Sequence, residues 1–279
     1  MPGYGALTLD LQLPCIMGVL NVTPDSFSDG GRFAAHDAAI EQGIVLAREG
    51  AAIVDIGGES TRPGSDTVSS DDELRRVLPV IEALREVVPA VLSIDTSKAE
   101  VARRALAAGA RIINDVTALR GDPAMAEVAA QAGCPICLMH MQGAPKSMQE
   151  HPLYDDVVGE VLAFLEERLT FAVSQGIAEE QVMLDPGIGF GKTVEHNLFL
   201  IKHLDRFAAL GRPVVLGASR KRFLGAILGA EPSQRVVGTA ATTAIAALAG
   251  VAVFRVHDVK PNFEALRVAL AVMEAGRAA

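Results

Sequence analysis

The chain has 279 residues, half of them hydrophobic, with no Trp, two Tyr and three Cys. That length and apolarity suit one large domain or two small ones and exclude intrinsic disorder. Its 25 basic and 34 acidic side chains leave a net charge of −9, which excludes a general binder of nucleic acid or of membrane surfaces, although a local basic cluster can still hold an anion.

The first apolar run, residues 15–20, leads through Asn21 into an irregular stretch at 21–34 and a helical pattern at 36–49. A run at 52–56 carries Asp55 and is followed by Glu59, a second irregular stretch at 57–69 and a helical pattern at 72–87. The run at 91–94 ends on Asp95 before a helix at 98–107, and the run at 112–114 ends on Asn114 and Asp115 before a helix at 123–132. The run at 135–139 ends on His140, with a third irregular stretch at 141–153 and a helix at 155–175. The run at 182–184 ends on Asp185 ahead of a helix at 195–210. The run at 214–216 precedes Ser219, Lys221 and two helical stretches, 220–228 and 234–249. The last run, 252–256, carries Arg255 and leads to His257 and a helix at 262–275.

Each run is short and apolar throughout, as strands buried on both faces are. Eight strand-then-helix units predict an α/β fold, a single-domain (β/α)8 TIM barrel over 1–279 with its core at about 14–276; an open doubly wound sheet is the other arrangement that fits. No stretch reads as a domain linker. Ser70 with Glu73, and Ser97 with Glu100, have the spacing of capping boxes. No run reaches the length of a membrane span, and the first 14 residues have neither the basic start nor the apolar core of a signal segment. Three cysteines, Cys15, Cys134 and Cys137, suggest a reducing, cytoplasmic setting and no disulfide framework.

In such a barrel, chemistry collects where the strands end. Here those positions hold Asn21, Asp55, Glu59, Asp95, Asn114, Asp115, His140, Asp185, Ser219, Lys221, Arg255 and His257. Helix capping is the competing explanation. It accounts for Ser97 and Asp258, but not for Lys221, Arg255 and His257, nor for Asp95 if Ser97 is the cap; convergent polar ends read instead as a ligand site. The segment from Asp185 to Thr193 imitates a P-loop but has Pro186 where that motif needs Gly, so nucleotide binding is not expected there; its glycines are expected to let backbone approach a flat ligand. Cys134 and Cys137 have the spacing of a metal or redox pair, but no second pair exists, and buried structural thiols are expected.

Residues 17–31, MGVLNVTPDSFSDGG, and 57–64, GGESTRPG, resemble the two loop signatures of the dihydropteroate synthase family. SIDTS at 93–97, IND at 113–115, DPGIGF at 185–190, GASRK at 217–221 and RVHD at 255–258 follow in the family's order, so the resemblance spans about 15–260. It implies a transferase of folate biosynthesis that joins p-aminobenzoate to 6-hydroxymethyl-7,8-dihydropterin diphosphate with loss of pyrophosphate. It further implies that Asp95, Asn114, Asp185 and Lys221 line a pterin pocket with Met139 and Phe190 as apolar walls. Thr61, Arg255 and His257 would hold the diphosphate, and Arg62 would complete the closed site, making Arg62, Asp95 and Lys221 the catalytic set. Phe27 and Pro63 would clamp the benzoate ring, whose carboxylate would meet backbone N–H groups after Ser219. Arg222 stands where some members have Ser, which removes a side-chain hydroxyl contact. Mg2+ is the implied cofactor, with Asn21 its ligand, and a homodimer the implied assembly, for which the Ala-rich stretch 234–249 offers a face. A methyltetrahydrofolate-binding methyltransferase-like barrel and a non-catalytic pterin-binding paralogue are the alternatives.

Overall fold

The computed structural model describes residues 9, 11–23, 31–60, 67–143, 148 and 152–276. Eight parallel strands, β1 (Cys15–Asn21), β2 (Ile53–Gly57), β3 (Val91–Asp95), β4 (Ile112–Asp115), β5 (Ile136–Met139), β6 (Val182–Asp185), β7 (Val215–Leu216) and β8 (Val253–Val256), hydrogen-bond in the order β6-β5-β4-β3-β2-β1-β8-β7. A parallel bridge between Leu184 and Val214, with the Leu184 N–H donating to the Pro213 carbonyl at 3.0 Å, joins β6 to β7 and closes the ring. The fold is therefore the expected (β/α)8 barrel, and the open sheet is excluded.

Alternation along each strand sends one set of side chains inward and the other under the helices. Cys15, Met17, Ile53, Ile112, Cys137, Met183, Val215 and Val253 form the inner cluster. Ile16, Leu20, Val54, Ile56, Ile94, Ile113, Leu138 and Leu184 belong to the larger layer between sheet and helices. Helix α2 (Ser70–Val87) shows why the helices dock there: Leu74, Val77, Val80, Ile81 and Leu84 recur at three- and four-residue spacing and are buried. The thiols of Cys15, Cys134 and Cys137 are free and buried, and burial raises them, to about 12 for Cys15 and about 11 for Cys134. None is poised as a thiolate, which agrees with structural cysteines. Among the described residues no helix is long and apolar enough to cross a membrane.

Several local expectations change. Helix α2 is capped by Ser69, whose Oγ accepts the Asp72 N–H at 3.1 Å; the expected cap, Ser70, lies inside the helix, and Glu73 is drawn away to Lys98. Helix α3 (Ala99–Ala108) is not capped by Ser97: its first N–H, from Ala99, is taken by Asp122 of the following loop at 2.8 Å, and Glu100 pairs with Arg103. Asp258, expected as a cap of α10 (Val259–Glu274), makes no side-chain cap bond and forks to Arg220 at 2.9 and 2.5 Å. The helix expected at 195–210 is two, α6 (Val194–Lys202) and α7 (Leu204–Ala208), broken at His203 so that Leu204 and Phe207 turn into the core. After β7, Arg220 sits at φ 58°, and α8 (Arg222–Leu228) starts two residues later than expected. Helix α9 (Val236–Leu248) then leads to β8.

Asp115 is a further correction, because it serves the fold and not a ligand. Its Oδ1 accepts the Thr117 N–H at 2.8 Å and the Thr117 hydroxyl at 2.6 Å, and its Oδ2 accepts the Leu119 N–H at 2.7 Å. The turn it holds carries Ala118 and Leu119 at φ 53° and 63°, a region unfavourable to side chains with a Cβ. Asp115→Ala removes every one of those bonds in a buried site and is expected to cost on the order of 3 kcal/mol in urea unfolding. Asp115→Asn, which keeps one acceptor oxygen, should cost less. An alanine variant within about 0.5 kcal/mol of the parent would show that the turn holds itself.

Candidate active site

The barrel mouth is organised around Arg255. On β8 it pairs by register with Met17 of β1, and its side chain reaches beyond that strand to β2 and β3. Nε donates to Asp55 Oδ2 at 2.7 Å and Nη2 to Asp95 Oδ2 at 2.6 Å. Asp55 also accepts the Asn114 amide at 2.9 Å, so four strands are tied through one guanidinium. Asp55 is fully buried and Asp95 nearly so. The Oδ1 atoms of both, with Ser93 Oγ on β3, are buried without a hydrogen-bond partner among the described residues.

Two carboxylates share one guanidinium in a buried place, and the ionisation of Asp95 reflects it. Burial raises Asp95, Arg255 pulls it back and Asp55 pushes it up again, leaving it at about 7. Burial works against the charge on Arg255, but Asp55 and Asp95 hold it protonated above its ordinary range.

Across the mouth, Asp185 ends β6 beside Met139 of β5. Its Oδ1 accepts the Gly187 N–H at 2.7 Å. Lys221 donates to the Ile188 carbonyl and lies 4.4 Å from the centre of the Phe190 ring, a cation–π contact. Burial lowers Lys221 to about 8, Asp185 opposing and Arg255 adding to the effect. Burial raises Asp185, and Lys221 holds it down. Met139 and Phe190 fall in one apolar cluster with Val116, Met141 and Met148.

The glycines of this loop do not make room for a ligand. A Cβ on Gly187 (φ 68°) would lie 1.8 Å from the His140 carbonyl, on Gly191 (φ 63°) 2.6 Å from the Gln142 carbonyl, and on Gly189 (φ 82°) 2.9 Å from Lys221 Cδ. The space is filled by the protein itself. Lys192, the P-loop-like lysine, turns inward to His140, consistent with the absence of a nucleotide loop here.

Ser219 Oγ accepts the His257 N–H at 3.1 Å and meets His257 Nδ1 at 3.0 Å, so this serine orients the histidine. Asn21 is half-buried at the end of β1. Between it and Asp95 stands Gly57, whose absent Cβ would lie 3.8 Å from Asn21 Oδ1 and 3.6 Å from Asp95 Oδ2. Glu59, beside the second signature, is bonded to Lys98, which also binds the fully buried Glu73 at 2.6 Å, and it accepts the Val68 N–H at 3.2 Å.

Of the residues singled out in the sequence, Asp95, Asn114, Met139, Asp185, Phe190, Ser219, Lys221, Arg255, His257 and Asn21 stand at or next to strand ends on this one mouth. Phe27, Thr61, Arg62 and Pro63 lie outside the described residues. Asp55, a strand end in the sequence, is the inner partner of Arg255, and Lys192, which follows the P-loop-like glycines, is built into the wall of the mouth. The signal for Asp55 was present: an acid inside an apolar strand requires a buried partner.

Comparison with known proteins agrees with this geometry. The model of the family described as pterin binding enzyme matches residues 17–257. The dihydropteroate synthase of Escherichia coli K12 is 47% identical over 268 residues, 96% of this chain and 95% of that one. A crystal structure of the Yersinia pestis dihydropteroate synthase in a sulfonamide drug complex superposes with a TM-score of 0.90 at 47% identity, covering 96% of this chain and 98% of that one. The Xanthomonas albilineans dihydropteroate synthase with 4-aminobenzoic acid does so at 0.89 and 49%, covering 95% of each chain.

If Arg255 draws its fixed position from Asp55, removing that carboxylate strands a buried cation and the Asn114 amide. Asp55→Ala is expected to lower unfolding stability by on the order of 3 kcal/mol. Asp55→Asn keeps an acceptor for Asn114 and should lose less. Urea denaturation of both variants checks the order; an equal and small loss for the two would mean that Asp95 alone positions Arg255.

Proposed function

The chain belongs to the dihydropteroate synthases among the pterin binding enzymes, and we propose that the residues at its barrel mouth carry out that family's reaction. The reaction condenses p-aminobenzoate with 6-hydroxymethyl-7,8-dihydropterin diphosphate, yielding 7,8-dihydropteroate and pyrophosphate for folate biosynthesis. Identity to synthases over nearly the whole chain sets aside the methyltransferase-like alternative. The observation that carries the assignment of roles is the convergence of Asp95, Asn114, Asp185, Lys221 and Arg255 into one charge-coupled group above an apolar floor.

A pterin edge alternates N–H donors with acceptors. Carboxylates at Asp95 and Asp185 accept, and Asn114 does both. Met139 and Phe190 give the ring flat apolar walls. Lys221, held against Phe190 and the Ile188 carbonyl, contacts the ring and orients the second substrate. The methylene C–O bond breaks as pyrophosphate leaves, the aryl amine attacks the electron-poor carbon, and its proton is lost as the C–N bond forms. The dihydropterin ring supports positive charge at that carbon, so the protein needs no covalent nucleophile. Its work is to hold the leaving anion and to place the amine.

Arg255 and His257 are proposed to hold the diphosphate, and Thr61 and Arg62 of the second signature to join them. Phe27 and Pro63 are proposed to flank the benzoate, with its carboxylate near the backbone after Ser219. For Mg2+, the donor set fits: Asn21 offers one hard amide oxygen beside the gap kept open by Gly57, and such an ion takes its remaining ligands from phosphates and water. When bound it would neutralise charge on the leaving group.

The cellular setting is proposed to be the cytoplasm, on the strength of the three free buried thiols. A homodimer is supported by Val237, Ile245 and Leu248 on α9 and Val268 and Val272 on α10, apolar side chains exposed on helices that pack together. Sedimentation should find a dimer that Val237→Asp with Val268→Asp weakens; a monomeric parent would exclude it.

The reaction is tested by pyrophosphate release, expected only with p-aminobenzoate, the pterin diphosphate and Mg2+ together. Release without p-aminobenzoate would indicate a hydrolase, and full activity after chelation would remove Mg2+ and the role of Asn21. The pH profile is also fixed by the site. Asp95 accepts from pterin N–H groups when ionised, above its value of about 7, and Lys221 is protonated below about 8. In the free enzyme, kcat/KM should therefore rise with pH through about 7 and fall above about 8. Lys221→Gln should be slower and lose the alkaline limb; a limb that persists would assign it to another group.

A further inference from the structure

We propose that Lys192 is a positioning residue of this active site: it clasps the loop between β6 and α6 to the end of β5, and so fixes where Phe190 and Lys221 meet the pterin. The proposal rests on the function given above. Lys192 is buried, 3% exposed, at the end of a Gly-rich segment. Its Nζ lies 3.0 Å from the Gly187 carbonyl, 3.0 Å from the Phe190 carbonyl and 2.9 Å from His140 Nδ1. Two carbonyl acceptors and a ring nitrogen, from two elements, are thus gathered on one nitrogen.

His140 is suited to accept. Burial and the charges of Lys192 and Arg120 lower it to about 2, so it is neutral at any working pH. Its ring packs edge-on against Phe164 at 4.8 Å, which fixes the ring plane. Burial and Lys221 push protons off Lys192 while Asp185 opposes them. As an ammonium the nitrogen has an N–H for each of the carbonyls of Gly187 and Phe190 and a third for His140 Nδ1; as an amine it keeps the two that the carbonyls require, and its lone pair faces the ring nitrogen.

The rest of the loop shows what the clasp controls. The Gly187 N–H is spent on Asp185, the Gly189 N–H on Asn197 Oδ1 at 2.7 Å, and the Gly191 carbonyl on the Tyr154 hydroxyl at 2.9 Å. Between the two carbonyls held by Lys192 lies Ile188, whose own carbonyl receives Lys221. Phe190, the second clasped residue, carries the ring under the Lys221 ammonium. Lys192 therefore sets both partners of Lys221, the Ile188 carbonyl and the Phe190 ring. The inward contacts of Gly187 and Gly191 with the carbonyls of His140 and Gln142 leave the loop one seating on β5, and Lys192 bonds it there.

Lys192→Met keeps the length and apolar stem of the side chain and removes its donors. In the full chain, the KM for the pterin diphosphate is expected to rise about tenfold, equivalent to about 1.4 kcal/mol. The KM for p-aminobenzoate should stay within about twofold, and calorimetric affinity for 6-hydroxymethylpterin, which lacks the phosphates, should fall by about the same tenfold. His140→Leu should act in the same direction. His140→Asn, whose amide oxygen can replace Nδ1 as acceptor, should recover most of the loss, and this pair decides the matter if Lys192→Met does not fold. Variants that melt earlier but keep parental KM and pterin affinity would show a merely stabilising lysine and overturn the proposal, as would equal losses for His140→Leu and His140→Asn. A parent that binds pterin but makes no pteroate would defeat the functional reading alone, because the calorimetric comparison still judges the clasp.

Discussion

The mouth of this barrel depends on a guanidinium held between two acids. Arg255 is held in one orientation, since its Nε donates to Asp55 and its Nη2 to Asp95. A planar fork suits the task because its rigid donor geometry fixes the angle between carboxylates on two different strands. Asp55 carries the arrangement further to Asn114, so Asp95 of β3, Asn114 of β4 and Arg255 of β8 share one network. Desolvating these groups is costly, and replacement by apolar side chains of equal volume could give a more stable barrel. The network is thus better understood as a means of fixing direction, which catalysis by positioning requires.

That arrangement also sets the ionisation of the whole site. Burial, only partly offset by Arg255, leaves Asp95 easily protonated, and burial leaves Lys221 on the other side easily deprotonated. The two ordinary values lie far apart, and burial brings them within about one unit of each other. A dianionic or trianionic substrate arriving here finds groups that can exchange charge at little cost near neutrality. The apolar layer beneath, with Met17, Cys137, Met183, Val215 and Val253, provides the low dielectric that makes these shifts large.

The fold was plain in the sequence because a parallel barrel has both faces of every strand buried. Short apolar runs such as 112–114 and 182–184 can be little else when helices separate them. The helix ends were less legible. Ser97 has the local chemistry of a cap, but Asp122 from the next loop reaches the same N–H with a charged oxygen and wins it. At α2 the choice lay between adjacent serines, and Glu73, the other half of the expected capping box, went to Lys98 from a neighbouring unit. In both cases tertiary partners displaced local ones, and a one-dimensional pattern carries no trace of them.

The same distinction sorts the polar strand ends. Asp115 and Asp185 look alike in sequence, each an acid closing a buried strand before a turn. Asp115 uses both oxygens to hold a backbone with two residues at positive φ, and nothing remains for a ligand. Asp185 gives one oxygen to Gly187, and the loop beyond it is held by other hands: Lys192, Asn197 and Tyr154. A strand-end carboxylate is available to a substrate to the extent that other side chains take over the turn that follows it. The Gly-rich loop at 187–191, which leaves its backbone groups accessible to such helpers, is what spares Asp185 that work.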